Sequence, residues 1–243
     1  MRASRVSAFS LGNITKKIAC LSIGGSILSR ESGINVEYAK ELSLLLQKRV
    51  RSTKFILVVG GGYSSRLYIR STKSIIGNNS LLDQIGIAFT RINALILKDL
   101  LSDFNVYPNI VTTIEELKAG IMLSDIVILG GLIPGITTDS VAMLACELTG
   151  CKQMINISSE SYVYDRPIRE KGARKLPRLN HQQLVDIANR CDDRSAGSNF
   201  ILDFFAAKIA KRSNIEILFV NDRIRELDLA LNGRKHMGST VKD

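Results

Sequence analysis

ILGGLIPGITTDSVAMLACELTG, residues 128–150, passes from an apolar run into paired glycines, a proline-glycine turn, a polar Thr-Thr-Asp and a second apolar run that stops at Gly150. The order spells strand, glycine loop, helix. Thr137, Thr138 and Asp139 carry side-chain oxygens of the kind that accept from free backbone N–H groups at a helix start. Gly150 suits the C-terminal cap. A helix start fed by a glycine loop presents unpaired N–H groups, a natural seat for an anion. Taken singly, the stretch is as well explained by an ordinary strand-to-helix connection, so the argument rests on repetition.

The same order occurs twice upstream. Residues 17–23 (KIACLSI) end in Gly24-Gly25-Ser26, and a helix is expected over 36–50, with Val36, Ala39, Leu42, Leu45 and Leu46 at helical spacing. Residues 55–59 end in Gly60-Gly61-Gly62, with a helix start at 64–69. Buried-looking strands alternating with helices predict a parallel α/β sheet, whose ligands bind beyond the carboxyl ends of the strands. Further along, 80–101 reads as a long apolar helix carrying Asp83, Thr90, Arg91 and Asn93. Strands at 106–112 and 125–129 flank a short helix at 114–123, and a strand at 153–157 leads into a polar excursion over 158–175. Helices follow at 180–188 and 198–209, the second with Asp203 in its first turns, then a strand at 215–220, a helix at 223–231 and a terminal edge strand at 238–241. With no linker to divide it, 17–243 is expected to be one domain with two ligand-facing lobes, about 17–150 and 151–243. Residues 1–16, with Arg and Ser but no acid, read as a flexible extension; a targeting role is the lesser alternative.

Composition narrows the partners. The chain has 243 residues, 45% of them hydrophobic, and a net charge of +10. It holds no run of about 18 apolar residues, so no membrane span or membrane partner is expected. The charge favours anionic ligands. Basic residues are scattered except over 166–178, where no aromatic is interleaved, so nucleic acid is not favoured as a partner. Cys20, Cys146, Cys151 and Cys191 have no zinc-type spacing with His181 or His236, and read as reduced thiols of a cytoplasmic protein without a resident metal.

Taken together the loops resemble those of the amino acid kinase superfamily, and most closely its archaeal-type uridylate kinases. The resemblance is carried by IGGS at 23–26, VGGGYSSR at 59–66, LLDQIGIAFTRINALIL at 81–97, GGLIPGITTD at 130–139 and SNFILDFFAAKIAKRSNIEILFVN at 198–221. It extends from about residue 17 to the C-terminus. It implies a three-layer αβα sandwich around a mainly parallel twisted sheet, and transfer of the ATP γ-phosphoryl group to UMP with Mg²⁺. It also implies a homohexamer built from dimers. By the same resemblance Gly61, Asp83, Leu132, Ile133, Pro134, Gly135, Ile136, Thr137 and Thr138 would hold UMP. Gly25, Ser26, Gly62, Arg66, Ser158, Ser159, Tyr164 and Asp165 would hold ATP. Asp139 and Arg66 would be catalytic, Asp139 beside the transfer centre and Arg66 on phosphate. Asp83 alternatively reads as a helix cap, and Asp203 as a family acid or a buried charge at a helix start.

The chain departs from the family pattern in three places. Many members carry a lysine where this chain has Ser22; Lys16, Lys17 and Lys208 are the cations to consider in its stead. Leu132 replaces the hydroxyl of a GGT loop. ISSESYVYDRP stands where the family has a run like TNVDGVYTADP, so Ser158, Ser159, Tyr164 and Asp165 match with a slip of a residue or two. These departures leave two other readings: a nucleotide-binding homologue with a regulatory role, or a kinase of the same fold for another acceptor.

Overall fold

The computed structural model describes residues 16–191 and 202–243. Its elements run β1 (Lys17–Ile23), α1 (Gly25–Leu28), β2 (Ser29–Arg30), β3 (Gly33–Ile34), α2 (Val36–Arg49), β4 (Thr53–Val59), α3 (Gly62–Thr72) and α4 (Asn79–Leu100). Then come α5 (Ile114–Leu123), β5 (Ile126–Leu129), α6 (Thr138–Thr149), β6 (Gln153–Ile157), β7 (Val163–Tyr164), β8 (Lys175–Leu176) and β9 (Arg178–Leu179). The chain closes with α7 (His181–Cys191), α8 (Phe204–Ser213), β10 (Glu216–Val220), α9 (Ile224–Leu231) and β11 (Thr240–Val241).

Among the described residues the main sheet has seven strands in the order β5-β4-β1-β6-β10-β11-β9. Five of its six pairings are parallel; the exception is β11, which returns antiparallel to β10. Both faces are covered, which is why these strands are continuously apolar rather than alternating. Strand periodicity sends Leu21, Ile23, Leu57, Val59, Ile128, Ile155 and Val220 to one core, against α2, α4 and α9. It sends Cys20, Ile56, Val58, Val127, Met154 and Phe219 to the other, against α6, α7 and α8. The three-layer αβα sandwich around a mainly parallel sheet is therefore as expected.

Three expectations need correction. The strand at 238–241 is not an edge: β9 pairs with β11 and takes the edge position. Residues 106–112 make only isolated bridges to β5, at Val106 and Val111, because Pro108 interrupts the run. The late helix starts at Phe204, with Asp203 as its N-cap accepting from Ala206 N–H; residues 198–201 of the expected 198–209 span and residues 1–15 of the expected 1–16 extension fall outside the described residues. By length and composition α4 could cross a bilayer. Here Leu82, Ala94 and Leu97 on it are buried in the domain.

The glycine loops after β1 and β4 meet backbone to backbone. β1 and β4 are adjacent and parallel, with Ile23 opposite Val59, so both chains leave the sheet side by side. A methyl group on Gly25 would overlap Gly62 N and lie 2.7 Å from Gly60 C and Gly61 N. Gly62 has φ of 71°, a conformation that a side chain disfavours. Gly25→Ala should therefore cost at least the 1–3 kcal/mol typical of overpacking. Gly77→Ala, where an added methyl meets nothing within 4 Å, should be neutral or slightly stabilising. Urea denaturation of the two variants checks this, and equal midpoints would contradict it.

Candidate active site

The neighbourhood of Asp139 is built by strand periodicity. Ser22 in β1 and Asn156 in β6 are register partners, and both face the layer that contains α6. The α6 helix packs across β1 and β4, and its second residue is Asp139. Ser22 Oγ donates to Asp139 Oδ1 at 2.6 Å, and Asn156 Nδ2 donates to the same oxygen at 2.8 Å. Asp139 keeps part of its surface open, but its carboxyl is enclosed by protein. Burial pushes its pKa up to about 7, against the two donors and with a further push from Asp203.

The α6 N-terminus is fastened to α8. Thr137 caps α6 by accepting from Ser140 N–H at 3.1 Å, and its hydroxyl donates to Asp203 Oδ2. Ser140 Oγ donates to Asp203 Oδ1 at 2.7 Å, and Ala206 N–H to the same oxygen at 3.0 Å. Asp203 is thus a buried cap that joins two helix starts. Thr137 has its hydroxyl committed inside the protein, whereas the Thr138 hydroxyl makes no hydrogen bond among the described residues.

The α4 helix holds the second and third glycine loops together. Asn93 Nδ2 donates to the carbonyls of Gly60 and Gly61, at 2.8 and 3.1 Å. Thr90 Oγ1 accepts from Gly131 N–H at 2.7 Å, and the Arg91 guanidinium donates to the carbonyls of Gly131 and Leu132 at 3.2–3.3 Å. One turn from the start of α4, Asp83 Oδ2 accepts from Gly135 N–H at 2.9 Å. The helix cap is Asn78, so Asp83 is free of the capping role and serves the 130–137 loop. Within that loop Leu132 and Ile136 pack on the α6-side core, while Ile133 is 58% exposed.

The remaining candidates divide. Gly61 is the side-chain-free cap of α3, and Arg66 opens the second turn of that helix, half-buried. Its guanidinium makes no ion pair or hydrogen bond among the described residues, and burial and Arg70 ease its pKa below the usual arginine value. Ser26 lies in α1, beside the Gly25–Gly62 contact. Gly24 N–H donates to Ile157 O at 2.8 Å, which brings Ser158, the next residue, beside the first glycine loop. Ser158 Oγ is turned inward to Glu160 O, and Ser159 is exposed. Tyr164 and Asp165 lie farther out on the β7–β8 hairpin, and no hydrogen bond joins them to the glycine loops. Asp165 accepts from Arg174 N–H at 2.9 Å and from the Arg174 and Arg166 guanidinium groups, which pulls its pKa down to about 2.

Of the substitute cations, Lys16 is engaged with Asp125 and Val50 O, and Lys17 opens β1; both lie at the end of the sheet opposite the glycine loops. Lys208, on α8, stacks on Phe204 at 5.2 Å. Asn156 escaped the sequence reading. Its signal was a lone amide in the buried QMINI strand. Thr90, Arg91 and Asn93 were visible as polar interruptions of an apolar helix, but their targets, two distant loops, were not.

Comparison with known proteins agrees with this geometry. A model of the amino acid kinase family matches residues 17–221. The uridylate kinase of Thermoplasma acidophilum is 32% identical over 224 residues, covering 92% of this chain and 96% of that protein. That of Thermococcus sibiricus is 35% identical, over 90% of this chain and 97% of its own. The crystal structure of uridylate kinase from Archaeoglobus fulgidus superposes with a TM-score of 0.78 at 32% identity, covering 92% of this chain and 99% of that one.

The Asp139 environment has a thermodynamic consequence. Its folded pKa of about 7 lies above the ordinary 3.8, so the fold binds the proton more tightly than the unfolded chain does. Stability from this group is full below the ordinary pKa and falls as pH rises through about 7. Asparagine keeps the acceptor oxygen and mimics the protonated acid. The Tm of Asp139→Asn should therefore gain on wild type between pH 4 and pH 8. A difference that is constant across that range would refute it.

Proposed function

We propose that this chain, which belongs to the amino acid kinase family, transfers the γ-phosphoryl group of ATP to UMP, giving UDP and ADP for pyrimidine nucleotide synthesis. The observation that carries the reading is the convergence of three glycine loops, at the carboxyl ends of β1, β4 and β5, on a site walled by α4 and floored by Asp139. Such a site suits phosphate groups, because it offers backbone N–H donors at helix starts and leaves room where side chains would be.

In this scheme the 132–138 loop wraps UMP, with Asp83 using one carboxylate oxygen on Gly135 N–H and the other on a nucleoside hydroxyl. Thr138 rather than Thr137 offers its hydroxyl to the UMP phosphate, because Thr137 is bound to Asp203. ATP lays its phosphates over Gly25, Ser26 and Gly62, with its base toward Ser158 and Ser159 and the hairpin that carries Tyr164 and Asp165. A UMP phosphate oxygen attacks the γ-phosphorus as the bond to the ADP oxygen breaks. A phosphate monoester has its second pKa near 6, so the nucleophile is largely ionised at neutral pH and no side chain has to take a proton. What the protein supplies is position and charge. Arg66, without an internal partner, is the cation best placed to pair with phosphate, in a chain where Ser22 occupies the lysine position. Asp139, held by Ser22 and Asn156, orients charge at the transfer centre.

Mg²⁺ would enter as the companion of ATP, held mainly by phosphate oxygens and water. When bound it would neutralise charge along the phosphate chain. Residues 17–150 then form the acceptor lobe and 151–243 the ATP lobe. The exposed apolar residues Leu81, Ile92 and Leu95 of α4 (49, 50 and 54% exposed) would be covered by a second copy in a homohexamer built as a trimer of dimers. The free thiols of Cys20, Cys146 and Cys151 suit the cytoplasm.

A coupled assay across UMP, CMP, AMP and GMP with ATP and Mg²⁺ should show turnover with UMP far above the rest. Equal use of all four would sink the assignment. Arg66→Ala removes a charge-assisted contact of about 1.5–3 kcal/mol, so nucleotide KM should rise about ten- to hundredfold. Asp139→Asn should lower kcat with UMP affinity close to wild type, the pattern of an interaction made mainly in the transition state.

A further inference from the structure

A cavity of about 470 Å³ opens between the starts of α2 and α9. These helices cover the face of the sheet opposite α6, and none of the residues lining the cavity is among those assigned above to UMP, ATP or the transfer centre. Arg30, Tyr38, Glu41, Asp222, Arg223 and Arg225 form much of its wall. Three observations there point to a ligand.

The first is Tyr38, which is 4% exposed and whose hydroxyl is buried without a hydrogen-bond partner. Burial, with Asp222 and Glu41 nearby, raises its pKa and keeps it a neutral donor. A buried donor without an acceptor is uncommon and costs free energy.

The second is the charge at the α9 start. Arg223 is its N-cap and makes no side-chain capping bond; Glu226 N–H turns back to Arg223 O at 2.9 Å, which leaves the N–H groups of Ile224 and Arg225 open. Arg223 and Arg225 place two cations at the positive end of the helix, where cations are unfavourable. Neither guanidinium has an ion pair or hydrogen bond among the described residues. Glu226, the acid of that first turn, is buried and accepts from Met237 N–H at 2.6 Å. Arg30 reaches Asp222 only at 3.5 Å, with both side chains substantially exposed.

The third is the opposite wall. Glu37 and Glu41 of α2 present carboxylates to the cavity, which repel a bare anion but accept from hydroxyl groups. A ligand that satisfies all three must carry a phosphate at one end and hydroxyls at the other.

We propose that this cavity binds a sugar phosphate, free or as part of a nucleotide, at a site distinct from the phosphoryl-transfer site. Its phosphate lies on Arg223, Arg225 and the α9 N–H groups, its hydroxyls donate to Glu37 and Glu41, and one of its oxygens accepts from Tyr38. Asn35, also in the wall, donates through Nδ2 to Ile27 O at 3.1 Å and through its backbone to Leu28 O at 2.8 Å. It ties the cavity to α1, the helix that begins at the first glycine loop.

Calorimetric titration of ribose 5-phosphate into the full-length chain tests this, read without turnover and so independently of the reaction proposed above. Wild type should bind one more equivalent than Arg223→Ala/Arg225→Ala, and the double variant should keep the kinetic constants of wild type. Equal stoichiometry in the two proteins would overturn the proposal. If the double variant does not fold, Arg225→Gln alone should weaken the extra equivalent at least tenfold, and an unchanged affinity overturns the proposal equally. Tyr38→Phe should weaken that equivalent about tenfold without lowering the Tm of the free protein; unchanged affinity again counts against the site. Inorganic phosphate and ribose alone should each bind at least tenfold more weakly than ribose 5-phosphate. Phosphate binding as tightly would reduce the site to an adventitious anion contact and overturn it. CMP binding more tightly than ribose 5-phosphate at the extra equivalent would support the nucleotide form of the ligand, and weaker binding the free sugar phosphate.

Discussion

The contact between Gly25 and Gly62 is the constraint on which the rest of the site depends. Two adjacent parallel strands deliver their chains to the same place, and only the absence of side chains lets both turn there. The helices that follow, α1 and α3, consequently start close together, each with unpaired N–H groups near the loops. A helix start carries partial positive charge, so juxtaposing two of them makes a field suited to a polyphosphate. The fold obtains this without a Walker-type lysine loop. Its cost is positional intolerance, because any Cβ at Gly25 has to displace main chain rather than a mobile side chain.

Polar residues in the neighbouring core are arranged with the same economy. Ser22 and Asn156 interrupt two apolar strands at paired positions, and both hydrogen bonds go to one oxygen of Asp139. Two donors do not offset the burial of the charge, and the raised pKa records the shortfall. Asp203 solves a similar problem differently, taking three donors and serving as a helix cap. The pair shows two uses of a buried carboxylate: one fully satisfied and structural, the other under-satisfied and facing the site.

The α4 helix links two of the glycine loops. Within one stretch of helix, Thr90, Arg91 and Asn93 reach the loops after β4 and β5, and Asp83 reaches farther along the second of them. Side chains on one helix face move as a unit, so the two loops share a common support. The cavity at the starts of α2 and α9 lies on the same face of the sheet as this support and is connected to α1 through Asn35.

Much of this was legible in the chain itself. Apolar runs cut short by glycines, each followed by a helical period, specified the parallel α/β sheet, since burial on both faces leaves strands no polar alternation to show. The glycine loops were visible for the same reason, since local pattern encodes local backbone, whereas Arg66, Asp83 and Asp139 were singled out by the resemblance of the motifs around them to the amino acid kinase family. What depended on neighbours from elsewhere in the chain was hidden. Arg178–Leu179 is too short to read as a strand and becomes one only because β11 lies beside it. The target of Ser22 was decided by register between β1, β6 and the overlying α6, residues more than a hundred positions apart. Thr137 and Thr138 look alike in sequence, yet only the arrival of Asp203 on α8 commits one hydroxyl and leaves the other open. Sequence determined which elements form and where backbone can turn tightly; packing decided which polar groups meet, because a hydrogen bond depends on distance in space and is indifferent to distance along the chain.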